Sequence, residues 1–225
     1  MTIADPVARH VAELERVLRG PGRVRRSMIR EVRDGLHDAV AAYREGGLDD
    51  ERAGALAVRD FGQIREIAPQ FQDELAARQG RWTAALLMIV FPGLILGWEL
   101  VWRSSAGLHP APMPFLTMVL ARVQDAAGAL VAAAAVILLA VSFHRTAPPR
   151  LVTSLVGVIA VIGVTVCGGT GLLMNLFNAP SAAVMIAANP YTLPAYGVNG
   201  LVFVLVMCTA VRTLRVARIH QPGKH

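Results

Sequence analysis

The 225-residue chain carries a net charge of +6 on a composition that is 54% apolar and only 17% charged, a charged share well below that of ordinary soluble domains. The charge is unevenly spread: residues up to Arg81 hold 14 arginines against 14 acidic side chains, whereas the remainder sets eight basic residues against Glu99 and Asp125 alone. That excess lies beside hydrophobic runs, where basic residues fix orientation in a bilayer, and no basic patch with interleaved aromatics accompanies it, so direct nucleic-acid binding is not expected.

The first apolar run starts near Thr83, behind a charged segment far longer than a signal peptide's n-region, so no cleaved leader is expected. Residues 1–80 read instead as short amphipathic helices. Asp5-Pro6 is an N-cap and first-turn signal for a helix with Val7, Val11, Leu14 and Leu18 on one face. Gly20-Pro21-Gly22 stops it. A second helix runs from about Arg23 to Arg44, with Val24, Met28, Val32, Leu36, Val40 and Tyr43 along one side, and ends at Gly46-Gly47. Asp49 or Asp50 caps a third that uses Ala53, Leu56, Ala57 and Phe61 and stops at Gly62. A fourth starts near Ile64 with Ile67, Phe71 and Leu75, and Pro69 should bend it or delay its start. Such a domain is small enough for docking to a partner or membrane to matter to its stability.

Four stretches then match the roughly 20 helical residues needed to cross a hydrocarbon core: about Trp82–Trp102, Ala126–Phe143, Leu151–Met174 and Leu193–Val211. Only Gly80 breaks the junction between the fourth helix and the first span. If the two are continuous they form a rod, and glycines inserted near Gly80 should disrupt signalling while both domains stay folded. Arg78, Arg81, Arg145, Arg150, Arg212, Arg215, Arg218 and Lys224 fall on one side, and only Arg103 and Arg122 on the other. The positive-inside rule therefore puts both termini in the cytoplasm of a multi-pass inner (plasma) membrane protein. Trp82, Trp98 and Trp102 mark the two interfaces of the first span. The outer loops, about 23 and 20 residues, contain Pro110, Pro112 and Pro114, then Pro180, Pro190 and Pro194, and are too short to fold alone.

Within the spans, Glu99 sits near the outer end with Arg103 four residues later, the spacing of a helical ion pair. Gly93 and Gly97 form a GxxxG, which lets helices pack closely within the chain, and Pro92 before it is a candidate kink. Gly168-Gly169-Thr170-Gly171 lacks the lysine and strand context of a phosphate loop and reads as a flexible or closely packed point in the third span, with local unwinding as the alternative. Asn199 reads as a packing residue. Cys167 and Cys208 differ in depth by roughly 20 Å at ~1.5 Å per residue, too far for a disulfide. Arg212, Arg215 and Arg218 make a basic stripe suited to anionic lipid. Asp34, His37 and Asp38 share a helix face, but without a supporting Cys/His set they read as a solvated surface. No cofactor, metal or catalytic set is indicated, so the chain is not expected to be an enzyme.

Leu14-Glu15-Arg16, Glu31, Phe61-Gly62 and Ile67-Ala68, within the run from Val11 to Leu75, carry a resemblance to the HAAS-type domain, or permease prefix domain, of bacterial membrane signalling proteins. The resemblance covers about a third of the chain and none of the spans. It implies a helical domain ahead of membrane segments, a signalling or adaptor role, and a PadR-like transcriptional regulator as partner. Leu14, Glu15, Arg16, Glu31, Phe61 and Gly62 are the partner-binding candidates on that basis. The expected architecture is thus all-α: a small cytoplasmic helical bundle over residues 1–80, four transmembrane helices over 81–218, and a tail over 219–225. The alternative function is a permease-like subunit or accessory protein of a transporter.

Overall fold

Two aspartates start helices as their spacing requires. The Asp5 carboxylate accepts from the Val7 N–H at 3.0 Å with Pro6 at the first helical position, and Asp49 accepts from the Arg52 N–H at 2.8 Å. These caps open α1 (Pro6–Val17) and α3 (Asp50–Phe61), between which lies α2 (Gly22–Glu45). Gly62 ends α3 at φ 103°, a left-handed conformation that glycine alone adopts without a Cβ penalty. Then follow α4 (Ile64–Ser104), α5 (Phe115–Val141), α6 (Pro149–Phe177), α7 (Ala179–Ala188) and α8 (Thr192–Ala217).

This computed structural model describes residues 5–104, 114–144 and 147–218, the Ser181 side chain apart, and contains no strand among them. Arg145 and Lys224 of the charge count, Pro110 and Pro112 of the first loop, and the tail 219–225 lie outside the described residues. The chain divides into two compact units, one up to Gln79 and one spanning Gly80–Ala217.

In the first unit, Val7, Val11, Leu14 and Leu18 of the α1 segment meet Met28, Ile29, Val32 and Leu36 of α2, Ala57 of α3, and Ile64, Ala68 and Leu75 of α4. Val24, Val40, Tyr43, Phe61, Ile67 and Phe71 complete the cluster from its edge. Pro69 does not delay α4, which starts at Ile64. A Cβ at Gly54 would stand 2.9 Å from Pro6 Cγ, so glycine is what lets α3 approach the start of α1. The Tyr43 hydroxyl donates to the Asp60 carboxylate and joins α2 to α3. That bond raises the tyrosine pKa and lowers that of the carboxyl.

The second unit holds four helices long and apolar enough to cross a membrane: α4, α5, α6 and α8. This is the architecture of a multi-pass membrane protein. α6 is central, with 44% of its apolar window buried against 17% for α5. Its Val156, Ala160, Val164 and Cys167 meet Leu87 and Phe91 of α4, Val131 and Ala135 of α5, and Val206 and Ala210 of α8. Leucines and isoleucines such as Ile89, Leu96, Leu130, Ile137, Ile162 and Leu201 stay exposed on the outer faces, as helices solvated by lipid tails require.

Four expectations need correction. The second span begins at Phe115 rather than near Ala126, so Arg122, Gln124 and Asp125 belong to a helix and not to a loop. The expected loop 175–194 holds the ten-residue helix α7, because its apolar alanine-rich stretch has good helix formers behind Pro180. Gly93 and Gly97 do not pack against a neighbouring helix: both are exposed, and a Cβ at either would meet nothing within 4 Å. Their neighbours in this unit press on other glycines instead. A Cβ at Gly163 would lie 2.8 Å from Val131 and 2.9 Å from Phe91, and one at Gly157 2.8 Å from Leu214. Gly80 lies inside α4, not at a break, and a Cβ there would stand 2.6 Å from Thr153 Oγ1. Gly168–Gly171 likewise stays helical.

Candidate functional site: a polar cavity among the membrane helices

The helices of the second unit alternate in direction, so the C-terminal turns of α4 and α6 gather with the N-terminal turns of α5 and α8. A cavity of about 390 Å³ lies among them. On α5, Thr117, Ala121, Gln124 and Asp125 line it; the offsets of four, seven and eight residues put them on one helix face. Trp98 and Trp102 line it from α4, and Tyr196 and Phe203 from α8. Asn175 and Asn199 add polar walls, while Gly168, Gly171 and Gly200 leave room.

Its polar groups fall into two sets. One is internally satisfied: the Tyr196 hydroxyl donates to Asn175 Oδ1 at 2.6 Å, and Asn175 Nδ2 donates to the Gly171 carbonyl at 2.8 Å. Trp98 packs edge-on against Tyr196, ring centroids 4.9 Å apart at 66°. Thr170 Oγ1 lies 3.2 Å from Gln124 Oε1, and the Cys167 thiol points to the Gln124 carbonyl at 3.8 Å, which ties α6 to α5. Glu99 takes the Arg103 Nε–H at 2.8 Å, the pair its spacing implied. Near this end Asn189 donates to Ser104 Oγ at 2.9 Å and to the Val101 carbonyl at 3.3 Å, anchoring the α7–α8 connection to the end of α4.

The other set is unsatisfied. Thr117 is 3% exposed, yet its hydroxyl has no hydrogen-bond partner. Asp125, which is exposed, makes no ion pair or hydrogen bond among the described residues, and none of the described lining residues is Lys, Arg or His. An ionisable side chain on a membrane helix, such as Asp125, is a candidate for a ligand or ion pathway.

The partner-binding candidates of the first unit are placed differently from one another. Leu14 is 0% exposed and lies in the core, whereas half-buried Phe61 packs edge-on to His10 at the edge of that cluster. Gly62 serves the turn after α3. Arg16 and Glu31 are exposed, and Glu15 is half-buried with Arg25 3.9 Å away. Asp34, His37 and Asp38 are exposed on α2. Arg212 and Arg215 are exposed near the end of α8, and exposed Arg218 follows it. Cys167 and Cys208 are both free thiols. Asn199 lines the cavity and also a side pocket of about 40 Å³, a place its reading as a packing residue missed. No family model, curated protein or solved structure matches the chain.

Proposed function

We propose that the chain is a membrane-anchored, non-catalytic signalling adaptor whose N-terminal unit is a cytoplasmic helical bundle of the HAAS type that captures a regulatory protein. The observation that carries this reading is the first unit's own core, contributed by four helices and separate from the core of the membrane helices. That core leaves the charged face of α2, with Glu31, Asp34, His37 and Asp38, free for a partner. The resemblance of residues 11–75 to HAAS-type domains favours a PadR-like regulator as that partner. Arg78, Arg81, Arg150, Arg212, Arg215 and Arg218 against Arg103 and Arg122 favour both termini in the cytoplasm and the plasma membrane as the site. In that orientation the stripe at Arg212, Arg215 and Arg218 meets anionic headgroups.

The test uses the full chain in mild detergent as bait. Capture of a PadR-like regulator, weakened by Arg16→Glu together with Glu31→Arg, supports the adaptor. A second reading, a permease-like subunit or transporter accessory, is favoured by the cavity among the spans. Capture of a transport ATPase subunit alone, indifferent to the two charge reversals, would replace the first reading by the second.

A further inference from the structure

We propose that the cavity between α4, α5, α6 and α8 binds a small protonated amine carried on an aromatic or aliphatic body. This inference stands apart from the adaptor reading and holds whichever protein partner the first unit takes. At about 390 Å³ the cavity falls in the range of small-molecule sites. Its charge selects the ligand. Among the described residues the lining contains the carboxylates of Asp125 and Glu99 and no basic side chain, and of the two only Glu99 is paired. A carboxylate among membrane helices is stabilised by a cationic partner, and an anion would find none. Trp98, Trp102 and Tyr196 supply ring faces, which attract an ammonium and bury its hydrocarbon part.

The Thr117 hydroxyl points to a ligand independently of charge. It is buried, unpartnered and on the same face of α5 as Asp125. Such a group in a native protein needs a partner, and none of the described residues supplies one. At ~1.5 Å per residue the eight-residue offset sets Thr117 about 12 Å from Asp125 along α5, so Asp125 takes the ammonium and Thr117 Oγ1 meets a polar group at the far end of the ligand body. A metal ion fits less well, because no group of three His, Cys, Asp or Glu side chains is gathered among the described residues.

The experiment uses the full chain in nanodiscs of neutral lipid and follows tryptophan fluorescence and titration calorimetry with three probes of one shape: 2-phenylethylammonium, 2-phenylethanol and phenylacetate. Saturable binding of the ammonium, at least tenfold tighter than the alcohol and with no measurable binding of phenylacetate, is the expected result. Asp125→Asn should lower ammonium affinity at least tenfold in protein whose helical circular dichroism and melting are unchanged. Equal binding of alcohol and ammonium overturns the proposal, as does full affinity in Asp125→Asn. Retention of a stoichiometric lipid by the purified protein, with no amine binding, overturns it in favour of a lipid site. The three-probe comparison on the unmutated chain decides the matter if that variant fails to fold.

Discussion

The side-chain amide of Gln72 holds both backbone polar groups of Arg19: its Oε1 accepts from the Arg19 N–H at 3.0 Å and its Nε2 donates to the Arg19 carbonyl at 2.7 Å. Gln72 is 3% exposed, so this pair ties the turn after α1 to α4 from the buried side. Gln72→Ala leaves both Arg19 groups without the partner that now holds them. An unsatisfied buried group costs about 1–3 kcal/mol; both bonds are only partly buried and Arg19 is exposed, so water meets the freed groups in part and a loss of about 1–2 kcal/mol is expected. Gln72→Glu keeps the acceptor and loses the donor, and should fall between. Amide hydrogen exchange over residues 5–79 of the full chain measures both. Protection unchanged in Gln72→Ala would refute the role.

His10 and Phe61 set the acid sensitivity of the same unit. Their rings meet at right angles with centroids 5.9 Å apart, His10 is 8% exposed, and its Nε2 has no partner. Burial pushes the His10 pKa below its usual 6.5, opposed in part by Glu13. The neutral ring is therefore the form the fold accepts, and the unfolded chain takes up a proton more readily. Stability from this residue is present above the unfolded value of 6.5 and is lost as pH falls through it toward the folded pKa. Exchange protection in α1 and α3 should decline between pH 7.5 and 5.5 in the natural chain and decline less in His10→Leu. An identical decline in both would assign the effect to carboxylates elsewhere.

How much of this could be read beforehand differs from residue to residue. Asp5-Pro6, Asp49 and Gly62 act within one turn, so local chemistry was enough to place α1 and α3. The apolar faces of α1 and α2 followed from 3.6-residue periodicity, since each buries against several neighbours at once. Gln72 was invisible because its partner is 53 residues away in sequence. The start of α5 was missed because Arg122, Gln124 and Asp125 depress local hydropathy. Gln124 and Asp125 line the cavity, whereas Arg122 is exposed outside it. The signal that could have found them is the recurrence of Thr117, Ala121, Gln124 and Asp125 on one helical face. Glycine spacing misled for a related reason: Gly93 and Gly97 have the motif and open space, whereas Gly163 has no motif and two side chains against it. Close packing depends on the neighbour, and the neighbour is set by tertiary structure.

That contrast is testable by alanine substitution. Gly163→Ala drives a methyl group into Val131 and Phe91, each under 3 Å from the new carbon. Overpacking of this kind costs about 1–3 kcal/mol. Gly80→Ala meets Thr153 at both Oγ1 and Cα, the latter at 3.2 Å, so α6 backbone must yield as well. Gly93→Ala and Gly97→Ala meet nothing and remove glycine's helix penalty of up to ~1 kcal/mol. Melting of the detergent-solubilised chain should fall by several degrees for Gly163→Ala and Gly80→Ala and hold or rise for the other two. A loss of stability in Gly97→Ala of the same size would point to a contact outside the single chain.

Thr83 and Thr213 test whether polar contacts hold the opposite end of the membrane unit together. Their hydroxyl oxygens are 2.8 Å apart, both side chains are 0% exposed, and Thr213 also lies 2.8 Å from the Thr209 carbonyl. Interhelical hydrogen bonds among membrane helices contribute about 0.6 kcal/mol on average and up to ~1.7 kcal/mol. Valine is close to threonine in shape, so Thr213→Val removes the bond while leaving the packing of α8 on α4 in place. It strands the Thr83 hydroxyl only to the extent that this group lacks a second acceptor. The expected loss is therefore about 1 kcal/mol for Thr213→Val, with the double variant Thr83→Val/Thr213→Val no worse than the single. A double-mutant cycle read from melting in detergent gives the coupling directly. Strict additivity of the two single losses would mean that the hydroxyls act separately and that this end is held by Ala84, Ala210 and the glycine contacts alone.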